Sequence, residues 1–240
     1  MSGFFYAIGG ANYAYKESLE IDLDILKESK KAHPNVLYVG AAMDDDLKQI
    51  NTFKSYYESI GFKVNILYSY NINISLCEIE NEFLNNDVIY FGGGITSKLI
   101  DFIIKYNLKE TIIKAYENNK IIAGVSAGAI MLFSYGFGDK EAFVDNLVSI
   151  NHKMTNGIAI FNGTFCPHYQ NSGGIFYHDE VRKYDMNGFA VENGAALKIY
   201  ENHFEIIKSK NTNVFMFLKT DNYKLIHLKN GIIYDIELLK

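Results

Sequence analysis

Gly124-Val125-Ser126-Ala127-Gly128 places a serine between two glycines where an apolar run, Ile121 to Val125, gives way to an apolar helical pattern. This is the G-x-S-x-G spacing of a nucleophile elbow, in which a strand turns sharply into a helix and the serine hydroxyl projects from the turn. Glycines on both sides let the backbone close without collisions. Such a hydroxyl becomes a nucleophile only with a base to take its proton and donors to hold the developing oxyanion. Gly92-Gly93-Gly94 follows the apolar run just before the serine strand, so a right-handed parallel sheet would make the two strand ends neighbours. The backbone N–H groups of Gly94 and Ala127 are therefore the expected oxyanion donors.

Six histidines compete for the role of base. His168 stands out because it lies in Phe165-Cys166-Pro167-His168-Tyr169, at the end of an apolar extended run where proline fixes the approach. His33 precedes Pro34 at a helix end, and His203 and His227 fall in alternating segments that read as surface. An acid that orients the ring completes such a pair. Two candidates stand open: Glu192, after the short run Phe189-Ala190-Val191 and before Gly194, and Asp139, thirteen residues beyond the serine. Each is also in a place where Asp and Glu commonly cap turns.

FGGG followed by Thr96, then GVSAGA, CPHY and VENGAAL, in this order over residues 88–197, resemble the aspartyl dipeptidase (peptidase E) family and its cyanophycinase relatives. The resemblance implies that Ser126 is the nucleophile and His168 the base, in a fold like that of class I glutamine amidotransferases. It implies cleavage of short peptides, some with an N-terminal aspartate, with no metal or organic cofactor. It also implies an acidic third member, with Glu192 favoured and Asp139 competing. Arg182, the single arginine of the chain, lies fourteen residues past His168, where members of the family carry an arginine that grips an acidic substrate side chain. A guanidinium fork suits that task better than an ammonium. The chain departs from the family's GGG-Asn-Thr in having Ile95, which bears on substrate choice and not on backbone oxyanion donors.

Positioning these groups requires a sheet. Short apolar runs alternate with amphipathic segments through the first half, the pattern of a mostly parallel sheet flanked by helices. Strands are expected over Gly3–Ile8, Val36–Val39, Val64–Tyr68, Val88–Phe91 and Ile121–Val125. Helices are expected over about Ser18–Lys31, from a cap among Asp44–Asp46 to about Ile60, from a Ser75/Glu78 capping box to about Asn85, and over Ile95–Asn118. Beyond the elbow Ile158–Phe165 looks extended. Residues 195–240 alternate in antiparallel hairpin style, with Asn-Gly at 230 and 231.

The 240 residues are 48% hydrophobic, with two prolines and no Gly/Ser/Pro-rich linker, which reads as one domain over 1–240. A net charge of −5 argues against a nucleic-acid surface. Nowhere do 18 apolar residues run together and no basic n-region opens the chain, so neither a membrane nor export is expected and a cytoplasmic setting is. Cys77 and Cys166 read as reduced thiols. Asp44-Asp45-Asp46 lacks the glycine and distal glutamate of a calcium loop, and His178-Asp179-Glu180 reads as a solvated helix start, so no metal is assigned. The competing readings are a lipase- or esterase-like α/β-hydrolase and an inactive binding or sensor domain on the same fold. The expected partner is a short peptide, and the sequence sets no oligomeric state.

Overall fold

The computed structural model describes residues 3–70, 74–139, 152–171, 173–209 and 211–239. The strands of the first half are β1 (Phe4–Ile8), β2 (Asn35–Val39), β3 (Lys63–Leu67), β4 (Val88–Phe91) and β5 (Ile121–Val125). Those that follow are β6 (Phe133–Asp139), β7 (His152–Asn156), β8 (Phe161–Cys166), β9 (Gly188–Val191) and β10 (Ala195–Tyr200). The last are β11 (His203–Lys208), β12 (Val214–Leu218), β13 (Lys224–Leu228) and β14 (Ile233–Asp235). An eight-stranded sheet has the order β14-β11-β10-β1-β5-β4-β2-β3. Its portion from β1 to β3 is parallel, and β10, β11 and β14 extend it antiparallel.

The interior parallel strands β1, β4 and β5 read as unbroken apolar runs because both of their faces are covered. Successive side chains alternate between two clusters. Val36, Tyr38, Val88, Tyr90, Ile121 and Ala123 pack with α1 (Leu19–Glu28) and α2 (Leu47–Ser59). Leu37, Ile89, Phe91 and Ile122 point the other way, toward α3 (Leu76–Asn85), α4 (Thr96–Lys105) and α5 (Leu108–Glu117). Asp46 caps α2 by accepting from Gln49 N, and Ser75 with Glu78 forms the capping box of α3. The single helix expected over 95–118 is broken. Asn107 takes a left-handed conformation at φ 50°, which asparagine tolerates better than most residues, and separates α4 from α5.

A six-stranded second sheet, β13-β12-β9-β8-β6-β7, was not expected from the sequence. Its strands β6, β8 and β9 run parallel and its flanks antiparallel. Phe133, Phe161, Phe165 and Phe189 from this sheet join the cluster that holds Phe91 and Ile122. The Asn-Gly pair at 230 and 231 is a turn with Gly231 at φ 76°, but it does not close a hairpin. It carries the chain from β13 in the second sheet to β14 in the first.

Between α1 and α2 lies a fully buried carboxylate. Asp22 accepts hydrogen bonds from Ser18 Oγ (2.7 Å), Tyr56 Oη (2.8 Å) and Tyr57 Oη (2.6 Å). Burial pushes its pKa from 3.8 up to about 6, against the lowering effect of those three donors. A raised carboxyl pKa means that the folded state holds a proton the unfolded chain has released, so this group's contribution falls as pH rises from about 4 to about 6. The free energy of unfolding of the wild type relative to Asp22→Asn should fall by on the order of 3 kcal/mol between about pH 4 and pH 7 in paired urea titrations. A difference that stays flat over that range contradicts the assignment.

Candidate active site

Ser126 stands at the end of β5 with φ 53° and ψ −110°, a strained conformation for a residue bearing a side chain. Its N–H donates to Ile8 O (3.0 Å), and its carbonyl accepts from Ala129 and Ile130 as the short helix α6 (Ala127–Ile130) begins. Both flanking glycines are required by contact. A Cβ at Gly124 would stand 2.1 Å from Gly128 O, and one at Gly128 would stand 2.2 Å from Phe91 O. The turn therefore closes against its own helix and against β4 at the same time.

The imidazole of His168 meets this turn. His168 Nε2 lies 2.9 Å from Ser126 Oγ. Residue 168 is itself left-handed (φ 52°), and its N–H donates to Gly9 O (3.1 Å) just past the end of β1. Pro167 directs the chain out of β8 into that position. On the far side of the ring, Nδ1 lies 2.6 Å from Asn193 Oδ1. When Nδ1 carries the proton and donates it to Asn193, Nε2 presents its lone pair to the serine hydroxyl, the tautomer that a general base needs.

This corrects the expected acid. Glu192 does not supply the acceptor at Nδ1. Its carboxylate accepts instead from Asn213 N (2.7 Å) and from Asn213 Nδ2 (3.1 and 3.3 Å). Glu192 N in turn donates to Asn213 O (3.2 Å), which ties down the turn from which Asn193 projects. Asp139 ends β6, with its backbone in register with His152, and its side chain lies outside the described residues.

The glycines that end β1, Gly9 and Gly10, were not singled out from the sequence. Gly10 O accepts from Gly194 N (2.9 Å), and a Cβ at Gly10 would lie 2.1 Å from Asn193 Oδ1 and 2.6 Å from His168 Nδ1. The first strand thus holds both partners of the imidazole, and two adjacent glycines after an apolar run were its visible signal.

The backbone N–H groups of Gly93, Gly94 and Ala127 have no hydrogen-bond acceptor among the described residues. Gly93 and Gly94 line the same cleft as Ser126, and a Cβ at Gly93 would stand 3.3 Å from Ser126 Cβ. Gly94 has φ 137°, and a Cβ there would stand 2.5 Å from Ala42 O. The cleft encloses about 280 Å³.

Arg182 is not part of this cleft. It follows α7 (Gly173–Val181) with 60% of its side chain exposed, 3.9 Å from Asp179. His178, read as solvated, is half-buried and shares a 2.5 Å hydrogen bond with Tyr169. Burial first, and then the charge of Arg182, lowers its pKa. Of the three consecutive aspartates, Asp44 pairs with Lys98, Asp45 accepts from Ser69 and Tyr70, and Asp46 caps α2.

A model of the family described as "Peptidase family S51" matches residues 5–207. An uncharacterized peptidase, YgaJ, of Bacillus subtilis (strain 168) is 28% identical over 209 residues, covering 85% of this chain and 86% of that protein. The crystal structure of a peptidase from an acI-B1 Actinobacterium superposes with a TM-score of 0.69 at 18% identity, covering 98% of this chain and 97% of the other. A putative peptidase E protein from Listeria monocytogenes EGD-e gives a TM-score of 0.65 at 18% identity, over 88% of this chain and 100% of the other. At such identities the two structures bear on the fold alone. No helix among the described residues is long and apolar enough to cross a membrane.

Proposed function

The chain belongs to peptidase family S51, and from that premise we propose that it hydrolyses short peptides, dipeptides among them, through an acyl-enzyme formed on Ser126. It is a serine-type peptidase. The observation that carries the mechanism is the continuous hydrogen-bonded path from Ser126 Oγ through the imidazole of His168 to Asn193 Oδ1. As Oγ attacks the scissile carbonyl, its proton passes to Nε2 and the carbonyl oxygen takes up negative charge. The N–H of Ala127, with that of Gly94 or its neighbour Gly93, holds this oxyanion; one such donor is worth about 10²–10³ in turnover. The imidazolium then gives its proton to the departing amine. Water enters, His168 takes a proton from it, and the ester to Ser126 is cleaved to release the acid.

Asn193 serves here as the ring's orienting partner, as asparagine does in Cys-His-Asn sites on other folds. Its neutral carbonyl fixes the tautomer without contributing a full charge. Glu192 acts one step further out, holding the Asn193 turn through Asn213. We read the parallel portion of the larger sheet as a class I glutamine amidotransferase-like layout carried by one domain. The free thiols Cys77 and Cys166 suit a reducing, cytoplasmic setting. Arg182 was the residue on which a preference for N-terminal aspartate rested, and its place outside the cleft withdraws that support.

A panel of unblocked dipeptides, assayed by release of free amino acid, tests this reading. At least one member should be turned over with no added metal or cofactor. A panel left intact by enzyme that is folded by circular dichroism contradicts it.

A further inference from the structure

We propose that the residue acylated on Ser126 carries a bulky, uncharged apolar or aromatic side chain, held against Tyr38, Met43 and Phe137. The inference rests on the peptidase reading above and concerns which peptide that site takes. The cleft beside Ser126 is walled by Tyr38, Met43, Ile130 and Phe137, with Gln49 and Thr96 as uncharged polar groups. Its volume, about 280 Å³, lies near the lower end of small-molecule sites, which run from about 300 to 1,000 Å³, and suits a residue or two of peptide.

Charge settles the choice of side chain. No lysine or arginine lines the cleft among the described residues, and the imidazole of His168 is engaged with Ser126. Burial and then the carboxylates of Asp45 and Asp46 push the Tyr38 phenol up to about 12, so their field reaches this wall. Asp45 is buried and accepts from the amides of Ser69 and Tyr70 and from the hydroxyl of Ser69. An acidic side chain entering here would lose water, gain no cation from the described residues and meet that field, whereas an apolar one exchanges water for aromatic and thioether contact. Met43 stands beside an oxyanion glycine: a Cβ at Gly94 would stand 2.6 Å from Met43 Cγ.

The test is a series X-Leu with X = Phe, Met, Ala, Lys and Asp, compared by kcat/KM. Phe-Leu and Met-Leu should exceed Asp-Leu by at least about 100-fold, with Lys-Leu also below them. Asp-Leu equal to or better than Phe-Leu, or Lys-Leu as the best substrate, overturns the proposal while leaving the peptidase reading intact. Failure to cleave any of the five overturns both. Met43→Arg, which sets a guanidinium beside Gly94, should move the Asp-Leu to Phe-Leu ratio toward Asp by at least about tenfold. An unchanged ratio in a folded variant removes Met43 from the subsite.

Discussion

Ser126→Ala lowers kcat for any cleaved dipeptide by at least about 10⁴-fold and leaves thermal unfolding unchanged. The fold tolerates the change because alanine keeps the Cβ that the strained turn already accommodates and removes one oxygen. His168→Ala should cost about as much, since Nε2 is the hydrogen-bond partner of Oγ at 2.9 Å. The two act as a unit, so Ser126→Ala/His168→Ala should be little worse than either single variant. Losses that multiply would show two independent contributions and would break the pair.

The second large effect is at Asn193. Asn193→Ala removes the acceptor 2.6 Å from Nδ1 and frees the ring to turn and to take the other tautomer, with an expected loss of about 10²–10³-fold in kcat and little change in KM. Glu192→Gln should cost less than about tenfold, because glutamine retains an acceptor for Asn213 N. Asn193→Asp separates orientation from charge. A carboxylate still accepts from Nδ1–H and additionally stabilises the imidazolium, so much of the turnover should survive while the acid limb of the pH–rate profile moves to higher pH. If Glu192→Gln proves more damaging than Asn193→Ala, the acid lies where the sequence suggested and not where the hydrogen bonds run.

What the sequence made legible was what is local. The elbow is a contiguous string whose glycines, serine and flanking runs all bear on one turn, and β5 spans Ile121–Val125 as expected. Pro167-His168 likewise announces a fixed approach. Asn193 was hidden by its neighbour. In a turn, nothing periodic says which of two consecutive side chains faces a distant ring, and a search for negative charge selects Glu192 over an uncharged carbonyl. Gly9 and Gly10 mattered through contacts with residues more than 150 positions away, which no local pattern records. The second sheet escaped for a related reason: β6, β8 and β9 pair in parallel across long intervals, and β6 contains Gly136 and Gly138, which weaken its strand signal. Arg182 was conspicuous by type alone, and rarity of a residue type carries no position.

Covalent labelling tests the central claim, that Ser126 is the nucleophile activated by His168, most directly. A fluorophosphonate incubated with the native enzyme should leave one adduct, mapped by mass spectrometry to Ser126. Labelling should vanish in Ser126→Ala and slow by orders of magnitude in His168→Ala, in step with the loss of peptide hydrolysis. An enzyme that cleaves peptides while Ser126 stays unmodified, or whose inactivating adduct sits on another residue, would contradict the account.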